Sequence, residues 1–295
     1  MSQVEQVLNI TNILGEGPLW VPDEKALYWV DIDTRQVFRY YPATNNHDQF
    51  TFHFSVTVLG MRAKGGFVLA HTNGFAFWKP QPGEEIQALK PVTDPEANIP
   101  DNRFNDGAVD RQGRFWAGTM NMVDSFTPTG SLYRLDPDRS VHKMETGVNI
   151  SNGCAWSPDN ETMYFTPTGD RIIWAYDFDP DAGSISNRRI FVEIPKEDGY
   201  PDGHTVDSQG CLWTALWGGS KISCYDPDGK KLREIPIPAA QVTRPAFGGE
   251  NLDELYITSA WTGLSQQERA EQPQAGGLFR VKVDVAGLPE PKFTG

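Results

Sequence analysis

The sequence predicts an all-β fold: a six-bladed β-propeller of four-stranded blades, one domain over residues 1–295, its ring closed by the N- and C-terminal strands. Three observations predict it. First, a short apolar strand core recurs six times, at Leu27-Tyr28-Trp29, Phe67-Val68-Leu69, Phe115-Trp116-Ala117, Met163-Tyr164-Phe165, Leu212-Trp213-Thr214 and Leu255-Tyr256-Ile257. Successive middle residues lie 40 to 49 positions apart, the period of a four-stranded blade. Second, turn chemistry brackets these cores. Third, helical periodicity is scarce, and short strands at regular spacing with turns between them argue for an all-β architecture.

The elements follow in order. The segment Gln3–Asn9 alternates and is the strand expected to complete the blade built by Gly277–Val285. Turns precede several cores, at Pro22-Asp23-Glu24, Asp110-Arg111-Gln112-Gly113, Ser157-Pro158-Asp159-Asn160 and Asp207-Ser208-Gln209-Gly210. Their residues hydrogen-bond their own backbone or tolerate positive φ. After each core comes an alternating strand, such as Val37–Pro42, Ser131–Pro137, Ile172–Asp177 or Lys221–Pro227. Period-two alternation ending in Asp-Pro or Tyr-Pro reads as a strand followed by a reversal. The best helix candidate is the short, polar segment Gly263–Gln272. An eight-stranded barrel would also be all-β, but six aromatic repeats do not suit it.

Composition narrows the function. A formal charge of -13 argues against nucleic acid and anionic membrane as partners, since both select basic patches. Three cysteines without CxxC spacing fit a reducing compartment and speak against a thiolate metal site. The first residues carry no basic, apolar leader pattern, and no run reaches the roughly 18 apolar residues of a spanning helix. A cytoplasmic protein is expected.

The residues just ahead of each core locate a site. They read Gly15-Glu16-Gly17, Asn105-Asp106-Gly107, Ser151-Asn152-Gly153 and Pro201-Asp202-Gly203. Four of six repeats thus place an acid or amide directly before glycine, 10 to 12 residues ahead of the aromatic. In a propeller the innermost strands line one channel, so equivalent positions meet around its axis. Glu16, Asn105 or Asp106, Asn152 and Asp202 are therefore expected to converge. Carboxylates aimed at one another repel and lose solvation. A divalent cation removes that cost, and an all-oxygen set suits a hard one. Asp-Gly and Asn-Gly are also ordinary turn pairs, but Glu-Gly is not, and four in register favour a site.

At these segments the chain resembles the senescence-marker-protein/gluconolactonase/luciferin-regenerating family of six-bladed propellers. The matching stretches are GEGPLW (15–20), NRFNDGAVDRQGRFWAGTM (102–120), SNGCAWSPD (151–159), YPDGHTVDSQGCLW (200–213) and FGG (247–249). The resemblance implies a metal-dependent hydrolase of sugar-acid lactones, the aldono-1,4- and 1,5-lactones. It implies Glu16, Asn152 and Asp202 as metal ligands, Asn105 close to the metal and Arg103 on the substrate. The cation would be calcium, manganese, zinc, magnesium or iron(II). Some members carry an acidic pair just after GTM, whose second residue helps bind the sugar. Here Asn121, Met122 and Val123 follow, with Asp124 one place late, so sugar preference does not carry over.

Lactone hydrolysis needs a polarised carbonyl, a nucleophilic water and a proton for the leaving oxygen. A divalent cation supplies the first two, and Asp202 is the expected base. Arg103 offers a fixed fork of donors for hydroxyls or the carboxylate product. Asp106 is expected to fix its loop through backbone N–H groups, and His204 to pack behind Asp202. Trp217-Gly218-Gly219 and the loop 121–130 are candidates for the pocket rim. Two other readings fit the same frame: a calcium-dependent organophosphate hydrolase, which fold alone does not separate from a lactonase, and a non-catalytic calcium-binding regulatory propeller, for which Arg103 would be superfluous.

Overall fold

The computed structural model describes residues 3–295. Strands dominate, and they form antiparallel sheets by simple up-and-down connection. Four sheets have four strands each, running consecutively through Gly15–Thr51, Val56–Thr93, Asn102–Val148 and Ser151–Glu193. The remaining strands form an eight-stranded sheet. Within it, Tyr200–Val206, Leu212–Trp217, Lys221–Tyr225 and Lys231–Pro236 pair in succession. So do Gln241–Gly248, Glu254–Ala260, Leu278–Lys282 and Glu5–Leu8. One residue pair, Trp217 with Gln241, joins the two sets. The expected pairing of the chain ends is present, with Glu5 opposite Arg280 and Gln6 opposite Phe279. Together the sheets make a propeller-like all-β fold.

The first strand of each set packs beside the first strand of the next, from Gly15–Val21 round to Gln241–Gly248 and back. Between adjacent sheets lie the aromatic cores read from the sequence. Trp29, Trp116, Trp213, Tyr28 and Tyr256 are all fully buried. The anticipated helix is Gln266–Glu271, closed by a capping box between Ser265 and Glu268, and it buries none of its residues. No helix among the described residues is long and apolar enough to cross a membrane.

The turns ahead of the cores do more than reverse the chain. Asp110 accepts from the backbone N–H groups of Gln112 and Arg114 (3.0 Å each) and from the Trp116 indole (2.9 Å). Asp207 repeats the device with Gln209, Cys211 and the Trp213 indole, at 2.9, 2.9 and 2.8 Å. Each carboxylate ties a turn to the large ring buried six residues on. The C-terminal residues cross the underside of this assembly. Gly287 bridges to Asp207 and Phe293 to Arg62, and the Phe293 ring is wholly buried.

Removing such a carboxylate leaves several buried donors unpaired. Asp207→Ala should therefore destabilise the fold by about 3 kcal/mol, read as a lower urea midpoint. A midpoint within error of the parent would show that the Trp213 indole and the turn find other partners.

Candidate metal and substrate site

The acid–glycine and amide–glycine pairs are not turns. They sit inside the innermost strands, and at each the ladder register breaks: between Glu16 and Leu19, Phe104 and Gly107, Asn152 and Cys154, and Pro201 and His204. A β-bulge inserts a residue and re-aims the side chains beside it. Glycine is needed there for local reasons. Gly17 and Gly153 adopt φ of 55° and 53°, a region that side chains resist. At Gly107 a Cβ would meet the Trp116 carbonyl oxygen at 2.2 Å.

The result is a cavity of about 500 Å³ lined by Glu16, Arg103, Asn105, Asn152 and Asp202. The structure brings together all five residues singled out as ligands or substrate contacts. Their amides form a chain across three sheets. Arg103 donates to the Asn105 side-chain oxygen (2.7 Å), and Asn105 Nδ2 donates to Asn152 Oδ1 and to the Ser151 carbonyl (2.9 Å each). Asn152 Nδ2 donates to Thr168 Oγ1, which donates to the Pro201 carbonyl, both at 2.8 Å. This chain fixes which way each amide points.

Asp106 and His204 do not line that cavity. Asp106 accepts from the backbone N–H groups of Gly107 (2.8 Å) and Gly153 (2.9 Å), and from the guanidinium of Arg244. Arg244 also donates to the Gly107 carbonyl at 2.9 Å. The His204 ring packs on Gly153, where a Cβ would come within 2.3 Å of it. Burial, and then the charge of Arg244, push the imidazole down to about 3, so it stays neutral. His204 and Arg244 instead line a separate cavity of about 60 Å³ together with Glu290 of the C-terminal crossing.

Burial and crowding set the charges in the main cavity. Burial, then the neighbouring Asp106, push the Glu16 carboxyl up to about 8, against the Gly17 N–H, Arg244 and Arg103. Asp202 is raised well above the ordinary carboxylate range by burial, then by Glu16 and Asp106. Its Oδ1 is buried and has no hydrogen-bond partner in the protein. A buried polar atom without a partner is rare and calls for an explanation. Two repelling carboxylates, one of them with this orphaned oxygen, and an amide oxygen fit a hard divalent cation. A second cluster, Asp207 with Cys211 and Cys224, fits one poorly, because the aspartate oxygens already serve the turn and the indole.

Of the expected rim, Trp217 and, from the loop 121–130, Ser125 and Phe126 line the cavity; sequence reasoning missed Arg244, Thr168 and Tyr200. Arg244 had a legible signal: it occupies the slot in its repeat that acids and amides fill in four others. Thr168 and Tyr200 line the main cavity, and no local pattern marks them.

A family model described as the SMP-30/Gluconolactonase/LRE-like region matches residues 14–261. A pentonolactonase of Haloferax volcanii is 39% identical over 294 residues, covering 97% of both chains. Regucalcin of Danio rerio is 36% identical, covering 99% of both. Among solved structures, a luciferin-regenerating enzyme superposes with a TM-score of 0.94 at 32% identity, covering each chain completely.

The raised Glu16 carboxyl gives a signed prediction. A carboxyl raised on folding contributes stability that is present below its unfolded value and lost as pH climbs through its folded value. With chelator present, stability should therefore fall between about pH 4.5 and about 8. Glu16→Gln should flatten that decline in thermal melts, and added divalent cation should offset it in the parent. Parallel pH curves for parent and variant would refute the assignment.

Proposed function

This chain belongs to the SMP-30/gluconolactonase/LRE-like family, and on that footing we propose that it is an enzyme hydrolysing sugar-acid lactones to open aldonic acids with one divalent cation. The observation that carries the reading is the meeting of Glu16, Asn152 and Asp202 with Arg103 and Asn105 in one cavity. The lactonase and regucalcin names of its relatives support the substrate class and a calcium-like cation respectively. We read the eight-stranded sheet as two blades touching at Trp217 and Gln241, which makes six in a single domain.

Glu16, Asn152 and Asp202 would hold the cation through side-chain oxygens. When bound, it polarises the lactone carbonyl and acidifies water. The protein supplies the rest. Asp202 takes a proton from water as the water oxygen bonds to the carbonyl carbon. It returns that proton to the ring oxygen as the carbon–oxygen ring bond breaks, leaving one hydroxy acid. Arg103 is pinned through one nitrogen by the Phe104 carbonyl and Asn105, which leaves its other donors for substrate oxygens. Asn105, locked between Arg103 and Asn152, positions both groups.

Three substitutions separate these roles at saturating cation. Asp202→Asn keeps an oxygen but loses the base, so turnover should fall by the roughly 10²–10⁴-fold typical of a missing general base. Glu16→Gln, a ligand change only, should recover more activity than Asp202→Asn does. Equal recovery would deny Asp202 any role beyond ligation. Arg103→Ala should impair lactone turnover with cation content intact by elemental analysis, and loss of cation with it would make Arg103 structural. Lactone hydrolysis unchanged in verified cation-free protein would remove the mechanism altogether.

A further inference from the structure

The rim of the main cavity carries a second message, about the end of the substrate remote from its carbonyl. The loop after Asn121 contains two side chains that would ordinarily greet hydroxyl groups, and both are turned on the loop itself. Asn121 Oδ1 accepts from the backbone of Val123 (2.8 Å) and Asp124 (2.9 Å), and its Nδ2 donates to Thr129 at 3.2 Å. Asp124 accepts from the Phe126 backbone (3.2 Å) and from the Thr127 hydroxyl (2.8 Å). It does not line the cavity.

What the loop presents outward is apolar. Met122, Val123 and Phe126 are three of the six large hydrophobic side chains exposed among the described residues. Phe126 is 53% exposed yet lines the cavity and leans on the Tyr200 ring, centroids 5.9 Å apart. Met120, Ile150 and Trp217 extend this wall, to which Ser125, Tyr200 and Thr262 add hydroxyls and Trp217 an indole N–H. Of the three exposed side chains, Phe126 lies at the pocket, where an exposed aromatic marks a binding surface.

Resting on the lactonase reading above, we propose that the site takes lactones that are polar at the carbonyl end and apolar at the other. The class is aldonolactones ending in methyl, the 6-deoxyhexonolactones, in preference to their hydroxymethyl counterparts. The polar end meets Arg103 and Asn105. The methyl end meets Phe126 on the loop after Asn121, where a hydroxyl would give up water for few partners.

Two stereochemically matched pairs test this: L-rhamnono- against L-mannono-1,4-lactone, and L-fucono- against L-galactono-1,4-lactone, with cation-loaded protein and acid release followed by a pH indicator. The deoxy lactone of a pair should be favoured about tenfold or more in kcat/KM, the scale on which an apolar pocket discriminates. Phe126→Ser should cut the rate on the deoxy lactone several times more than on its partner, and Phe126→Leu should retain the preference. Hydroxymethyl lactones turned over as well as or better than deoxy ones, or a preference untouched by Phe126→Ser, would overturn this inference alone. No turnover of any aldonolactone across a wider panel would overturn the lactonase reading with it.

Discussion

Three carboxylates, on Glu16, Asp106 and Asp202, are buried close enough to feel one another's charge, and the neighbourhood is arranged to tolerate that. Such a cluster is costly unless countercharge and donors are provided. The provision is unequal. Asp106 receives two backbone N–H groups and the Arg244 guanidinium, so both its oxygens are engaged. Glu16 receives a single N–H, from Gly17, and one oxygen of Asp202 receives nothing. The deficit is thus concentrated on the two acids that face the cavity.

The bulges make this concentration possible. A regular inner strand would alternate its side chains between the two faces of its sheet. An extra residue at Glu16, Asn105–Asp106, Asn152 and Asp202–Gly203 breaks the alternation and sends neighbouring side chains to different surroundings. Asn105 thereby joins the cavity while Asp106, next in the chain, braces the Arg244 pair behind it. Asp202 and His204 divide in the same way between the large and the small cavity.

Much of this was legible in the sequence, and for a physical reason. A sheet-packing position must be large and apolar in every repeat, so Tyr28, Trp116 and Trp213 declare the period. The acid–glycine pairs were visible because bulge and site impose the same two residue types. What stayed hidden depends on chain segments far apart. Nothing local couples Asp106 to Arg244, 138 residues on, or sets Phe126 against Tyr200. The bulges themselves were not legible, because a turn also wants glycine beside a short polar residue. Along Gln241–Gly248 the sequence shows no acid–glycine pair, yet the register breaks there too, between Val242 and Arg244, so the device outlives its usual signature.

The pairing of Glu5 with Arg280 has a consequence for how the molecule is made. These residues are 275 positions apart, so a strand synthesised early waits for one synthesised late. The sheets from Gly15 to Glu193 are each local hairpin stacks and can form as they emerge from the ribosome. The sheet that unites the chain ends cannot, and until it forms, the apolar faces of its neighbouring sheets stay uncovered and invite association with other chains. Nascent chains stalled short of Leu278 should be the aggregation-prone species, and sequence changes at this seam should act on yield in the cell more than on the finished protein.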